Sequence, residues 1–584
     1  MEDNKEKESI KARIFYNNNK LVADKIRKTL LNIRNIPNIS EKRWIWELIQ
    51  NAKDVPNLFG KVKIKIELNK NSLIFSHNGS FFTIDNVLGI LQQVSSKDSI
   101  NSTQTGKFGT GFIGTHLLSD EVAISGIVKY NDTYRKFKLN LDRSGNSSEE
   151  MLKEVSKSIN EFEENMEMEN NANSKYEEIP FYKQKITDFD TKFEYNLKNE
   201  KSVKIAQAGL DDLKNTAPAT LSTQHKKIDS IHIINNIKNE EIIYSINVSP
   251  KDKDKQIYLN TISIRTNGKV KKEYFYSIES QKCRLLYQVQ KTEFGYSVLE
   301  RKKGQPVLFR DFPLIGSENF HFPFLLDGFK FIPLKTRNGL YLNGKLNIEA
   351  EQNREIIDNA ITTSLIFTDW LLKQSIDKRY LLAKTNIPEP PQKYDDSAIQ
   401  WFIDSQKNWR KKLKEKDLLL DDEDSFHCLK MIKLPEFKEK YNEDFYEIIK
   451  KMNITDGILP NENNIKEWYD IMKKDPLKDV YELHEDTWEF NYLFTEQDLY
   501  KKIEEFRTVS DFREAKDATI EDIYSWLNEL YKFMSKYKCI DALYKHKMIP
   551  NQKGVFRLIG EIYGNDSANK IPVIIEPIYK KFLM

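Results

Sequence analysis

Cysteine is nearly missing from the 584 residues: Cys283, Cys428 and Cys539 stand far apart. Their spacing supports neither a disulfide framework nor a structural zinc site, and the 8 histidines add no metal-ligand pattern. No run of about 18 apolar residues occurs, so no transmembrane helix is expected. The first ten residues are mostly charged and lack an apolar stretch of signal-peptide length, which predicts a cytoplasmic protein with no membrane partner. An excess of one charge is missing too. The 91 basic and 88 acidic residues leave +3, so no global field draws the chain to nucleic acid or membrane. What is present, 39% hydrophobic and 31% charged residues, is the composition of an ordinary globular chain. The length suffices for about three or four domains.

Against this background the stretch Asn38–Asp54, N-I-S-E-K-R-W-I-W-E-L-I-Q-N-A-K-D, stands out. Asn38 after Pro37, with Glu41 three residues on, predicts a capped helix beginning near Ile39. Ile45, Leu48, Ile49, Ala52 and Val55 recur at helical intervals and form the expected buried stripe. Beside it Glu47, Asn51 and Asp54 share one strip of surface, at i, i+4 and i+7. Alone, such a strip is most often the wet face of an amphipathic helix. A second stretch alters that reading. Thr105–Asp120, T-G-K-F-G-T-G-F-I-G-T-H-L-L-S-D, sets Gly106, Gly109 and Gly111 among Lys107, Phe108, Thr110 and Phe112, just ahead of an expected apolar helix. Glycines there let backbone approach a ligand, and the N–H groups opening the helix would face an anion.

E-L-I-Q-N-A-K-D followed by G-K-F-G-T-G-F resembles the nucleotide site of the GHKL, or Bergerat-fold, ATPases: gyrase, heat-shock chaperones, histidine kinases and MutL. Within that superfamily the chain is most similar to the chaperones and sacsin-like proteins. The resemblance implies ATP and Mg²⁺ as cofactors, with Glu47 as the catalytic base and Asn51 as the metal ligand. It implies nucleotide contacts from Asp54, Gly106, Lys107, Phe108, Gly109, Thr110, Gly111 and Phe112. His77, Asn78 and Gly79 occupy the place of the family's D-x-G-x-G turn, whose aspartate accepts from the adenine amino group; His77 replaces the aspartate and Phe81 the second glycine. A neutral imidazole still supplies one acceptor. Lys97, at the edge of a polar lid over 98–104, matches a phosphate-proximal lysine, and Thr191 matches a threonine that closes the pocket. Asn353-Arg354-Glu355 is similar to the chaperone S-R-E step, which makes Arg354 the second catalytic candidate, a γ-phosphate sensor at the start of a helix. Asn353 stands there in place of serine, and Asp358 where the family has glutamine. The resemblance further implies a homodimer, ATP-dependent through exchange of its N-terminal segments, and an unidentified protein client in quality control or antiviral defence.

The expected fold class is α+β. Residues 1–222 read as an ATP-binding α/β sandwich with an acidic helical insertion near 145–180. Residues 223–358 read as a strand-rich middle, or transducer-like, domain, and 359–584 as a mainly helical region. Within the first, residues 1–18 look poorly ordered and a short helix succeeds them over Leu21–Ile33. Alternation predicts strands over Val62–Leu68, Ser72–Ser76, Glu121–Tyr130 and Thr133–Leu141, with His77-Asn78-Gly79 as a turn. Leu210–Leu221, containing Pro218, reads as a bridge. Two other classes share this head. An ATP-gated nucleic-acid clamp would need a basic groove, for which Lys269, Lys271 and Lys272 are candidates; a non-hydrolysing binding module would not need the intact Glu47 and Asn51.

Overall fold

Alternating apolar residues in Val62–Leu68 (β1) and Ser72–His77 (β2) bury one face of a hairpin, in which Ile64 lies opposite His77 and Leu68 opposite Leu73. A computed structural model describes residues 2–35, 41–92, 111–131, 133–167, 178–179, 185, 188–318, 320, 322–334, 338–384, 394–436, 442–455, 457–473, 488 and 493–562. The chain is α+β and divides into two compact units, one of residues 1–364 with 389–398, the other of 365–388 with 399–584.

In the first unit β3 (Phe82–Thr83), β4 (Glu121–Tyr130), β5 (Thr133–Asp142), β6 (Glu178–Ile179) and β7 (Thr191–Asn196) extend the hairpin on one side. The order runs β6-β5-β4-β7-β2-β1, antiparallel throughout, with β3 parallel to the far end of β4. On the other side β8 (Ile228–Asn235) pairs parallel with β1, Ile64 opposite Ile231. The sheet then continues antiparallel through β9 (Glu240–Asp252), β10 (Ile257–Thr266), β11 (Lys269–Glu279) and β12 (Cys283–Lys291). It is completed by β13 (Tyr296–Val298), β14 (Leu308–Arg310), β15 (Phe312–Pro313) and β16 (Leu325–Gly328). The division expected at residue 222 is therefore not a break in the sheet. One non-local parallel pairing joins the two stretches, and local periodicity carries no trace of such a pairing.

Helices cover the apolar face. They are α1 (Glu2–Arg34), α2 (Arg43–Lys53), α3 (Ile84–Gln92), α4 (Ser148–Glu167) and α5 (Glu200–Thr223). Ala23 and Ile26 of α1, Ile45 and Leu48 of α2, Val155 and Phe162 of α4, and Leu210 and Leu213 of α5 share one core with Val62, Ile64 and Phe75. Each such large apolar side chain contributes about 1.5–3 kcal/mol by leaving water.

The structure adds three particulars to the expected organisation. α1 begins at Glu2, so the polar start of the chain is helical rather than poorly ordered; lysine and glutamate propagate a helix without an apolar period. The acidic segment near 145–180 contributes Met151, Val155, Ile159 and Phe162 to the common core. The bridge at 210–221 lies within a single helix that contains Pro218. Proline cannot donate to the carbonyl four residues back, yet every residue from Thr216 to Thr223 is buried, and that packing sustains the helix. Its start is capped by Asn199, whose side chain accepts from the Ser202 N–H.

Two further helices, α6 (Ile348–Leu371) and α7 (Asp396–Leu413), each begin in the first unit and continue into the second. The second unit has a core of its own, with Phe445, Ile448, Trp526, Leu527 and Leu530. Three of its helices start at reciprocal Thr/Asp capping boxes, Thr495 with Asp498, Thr508 with Asp511 and Thr519 with Asp522. None of the described helices is long and apolar enough to cross a membrane.

Candidate functional site

The polar strip of α2 is not a wet face. Glu47, Asn51 and Asp54 are 4%, 7% and 4% exposed, buried on a helix whose other side fills the core. Burying polar groups in this way requires partners, which Asp54 has in Lys53 at 3.4 Å and Glu47 in Arg43. The helix starts at Arg43, later than Ile39, and its N-cap residue Lys42 makes no side-chain cap bond; Asn38 lies outside the described residues. It ends at Lys53, shortly before Pro56, whose ring disfavours helical backbone at the preceding residue, and the Asp54 N–H donates to Gln50 O at 3.0 Å.

The two sequence boxes meet at Glu47. A Cβ built on Gly111 would run into Glu47 Oε2, so the backbone of Gly111 starts close against the carboxylate, and a side chain there would require the carboxylate to move. The next residues, Phe112–Leu117, form a short 3-10 helix instead of the expected α-helix. Phe112 is buried, edge-on to His116 and with its ring centre 5.6 Å from that of Phe193. The other carboxylate oxygen, Oε1, lies 3.4 Å from Arg43 Nε one turn earlier. Asn51 Nδ2 is buried and without a hydrogen-bond partner among the described residues. Gly106, Lys107, Phe108, Gly109 and Thr110 lie outside the described residues, as does Lys97.

His77 ends β2 rather than opening a turn, and Thr191, the buried first residue of β7, is paired with it across the sheet. The imidazole stacks on Phe193 and is pushed down to about 3 by burial, so it is neutral. Its Nδ1 accepts from the Gly79 N–H at 3.1 Å. The acceptor expected to remain for a base is thus engaged by the chain itself. Asn78 is fully buried and structural: its Oδ1 accepts from the Lys63 N–H at 2.6 Å, and its carbonyl accepts from Asn57 Nδ2 at 2.8 Å. The Ser80 N–H donates to Val55 O at 3.0 Å, which ties this segment to the end of α2.

Arg354 sits in the second turn of α6, not at its start. Its Nε and Nη2 donate to Leu342 O at 3.2 and 2.6 Å, and Nη2 also donates to Ser397 Oγ at 2.9 Å. The neighbouring Asn353 is buried: it accepts from the Ile332 N–H and donates to the carbonyls of Ile332 and Tyr341, contacts that a serine is too short to make together. Lys269, Lys271 and Lys272 occupy the exposed start of β11, where Lys271 lies 3.3 Å from Glu273.

Sequence reasoning overlooked Lys53. Its ammonium is fully buried between Asp311 at 2.8 Å and Asp54 at 3.4 Å, 5.2 Å from the centre of the Phe312 ring. Its interval from Glu47 places it off the strip, and its partner is distant in sequence. His116 was also missed; it is buried with Nδ1 3.1 Å from Ser119 O, and burial, aided by Arg143, pushes it down to about 3. Among the described residues no group of three or more His, Cys, Asp or Glu forms a metal cage. Comparison with protein-family models and with curated proteins finds no match for this chain.

Proposed function

We propose that the chain binds a nucleoside triphosphate with Mg²⁺ along α2 and hydrolyses it, as a conformational switch of the GHKL type nearest to chaperone and sacsin-like ATPases. ATP is the nucleotide the resemblance implies. The observation that carries this reading is the meeting of Glu47 with Gly111, which brings the α2 carboxylate and the end of the glycine box together on the helix that also holds Asn51, whose buried Nδ2 has no hydrogen-bond partner among the described residues. Asn51, buried one turn after Glu47 on α2, would give Mg²⁺ one neutral oxygen ligand, with phosphate oxygens and water completing its shell. When bound, the ion neutralises charge on the phosphates. Glu47 would orient a water and take its proton at Oε2, the oxygen that faces Gly111. Asn51 would offer Oδ1 to the metal. Thr191 and Phe193, beside His77, would line the base end. Association into a homodimer and action on a protein client belong to the same proposal.

The test separates the two α2 residues. Glu47→Ala should keep Mg²⁺-nucleotide binding and lose turnover by about 10²-fold or more, as removal of a general base does. Asn51→Ala should lose Mg²⁺-dependent binding in calorimetry. Equal and mild effects of both changes would reject the assignment.

A further inference from the structure

His77 has one acceptor nitrogen, and the fold already uses it. A backbone N–H only donates, so the Gly79 contact at 3.1 Å leaves Nδ1 without a proton. The neutral ring has a single proton, and it therefore sits on Nε2. The opposite tautomer would set two N–H groups against each other at that distance. Glycine at position 79 keeps the contact in place, since a Cβ there would lie 2.7 Å from both Nδ1 and Val55 O. The ring cannot turn away: it is stacked on Phe193, edge-on to Phe75 and opposite Thr191. Gly79 is its one hydrogen-bond partner among the described residues.

Resting on the proposed nucleotide site, we infer that position 77 presents the base with a donor where a carboxylate would present an acceptor, and so selects a 6-oxopurine. O6 of guanine or hypoxanthine accepts from Nε2–H. The 6-amino group of adenine sets donor against donor, and a mismatched polar contact in a dry site typically weakens binding by about tenfold or more.

Calorimetry with the Mg²⁺ complexes of the β,γ-imido analogues of ATP, GTP and ITP tests this on the full chain. The ITP and GTP analogues should bind at least about tenfold tighter than that of ATP. ITP isolates the six-position, because it lacks the 2-amino group of GTP. His77→Asp should reverse the order, one carboxylate oxygen keeping the Gly79 N–H and the other accepting from the amino group. An ATP analogue that binds the wild-type chain as tightly as the ITP analogue, or more tightly, overturns the inference and leaves the nucleotide site standing. Binding of none of the three overturns the nucleotide reading itself. The wild-type series decides the matter even if His77→Asp fails to fold.

Discussion

Gly111 and Gly114 lie one 3-10 turn apart, yet a methyl group added to each meets different surroundings. At Gly111 it runs into the Glu47 carboxylate; at Gly114 it meets nothing within 4 Å. Gly111→Ala should therefore displace the Glu47 carboxylate and, on the proposed function, reduce nucleotide turnover more than it reduces stability in denaturant melts. Gly114→Ala should be near neutral in both measurements, and comparable losses from the two would remove the argument that Gly111 and Glu47 act together. Titration adds a signed expectation at the same scale. His77 and His116 are both held near 3 by burial, while the unfolded imidazoles bind protons near 6.5. Their contribution to stability is complete above about 6.5 and is lost as pH falls towards 3. Asp327 runs the other way: burial raises it to about 6 despite the nearby Arg284, so its contribution is complete below the ordinary carboxyl value and is lost as pH rises through 6. Melting temperature should rise between pH 4 and 7, less steeply in His77→Gln and more steeply in Asp327→Asn. An unchanged slope in His77→Gln would mean that its ring is not neutral in the folded chain.

At the scale of elements, Lys53 ties α2 to the turn between β14 and β15, where Asp311 adopts a left-handed φ of 66°. Burial would raise the Asp311 carboxyl, but Lys53 and Arg310 together hold it below its ordinary range. Asp311→Asn, a residue that tolerates the left-handed turn, would take the nearer of the two carboxylates from the buried ammonium and should destabilise the chain by about 3–5 kcal/mol; Lys53→Met with Asp311→Asn should recover much of that loss. A double-mutant cycle in chemical denaturation measures the coupling, and additive losses would show that the pair does not act as one unit. This pair also marks where sequence reading stops. Glu47, Asn51 and Asp54 are legible because helical spacing alone puts them on one strip, and β1, β2, β4 and β5 because one-sided burial imposes alternation. Asp311 is invisible as a partner of Lys53, just as Ile231 is invisible as the neighbour of Ile64: both meetings join residues far apart in sequence. Pro218 misleads for the opposite reason, since its local cost is real but tertiary packing outweighs it. The tautomer of His77 likewise depends on a backbone N–H whose direction no residue type specifies.

Over the whole molecule, the proposed nucleotide switch would turn on Arg354. It cross-links α6 to α7 through Ser397, and both helices continue from the first unit into the second. The link is reinforced close by: Asp395 accepts from the Gly344 N–H at 2.6 Å and from Ser397 Oγ at 3.0 Å, while the Asp395 N–H donates to Asn343 Oδ1 at 3.1 Å. If Arg354 is to meet a γ-phosphate, its guanidinium must first leave Leu342 O and Ser397 Oγ, so the triphosphate state must loosen this cross-link while the diphosphate state leaves it intact. Hydrogen exchange should then quicken over 342–347 and 395–399 with a non-hydrolysable triphosphate but not with the diphosphate. In Arg354→Ala exchange there should be fast in every state, and hydrolysis should slow with diphosphate affinity nearly unchanged. A switch limited to the site would instead protect α2 and β2 and leave 342–347 and 395–399 at the same rate with both nucleotides. That outcome would assign Arg354 a purely structural role and would require the terminal phosphate to be sensed elsewhere in the chain.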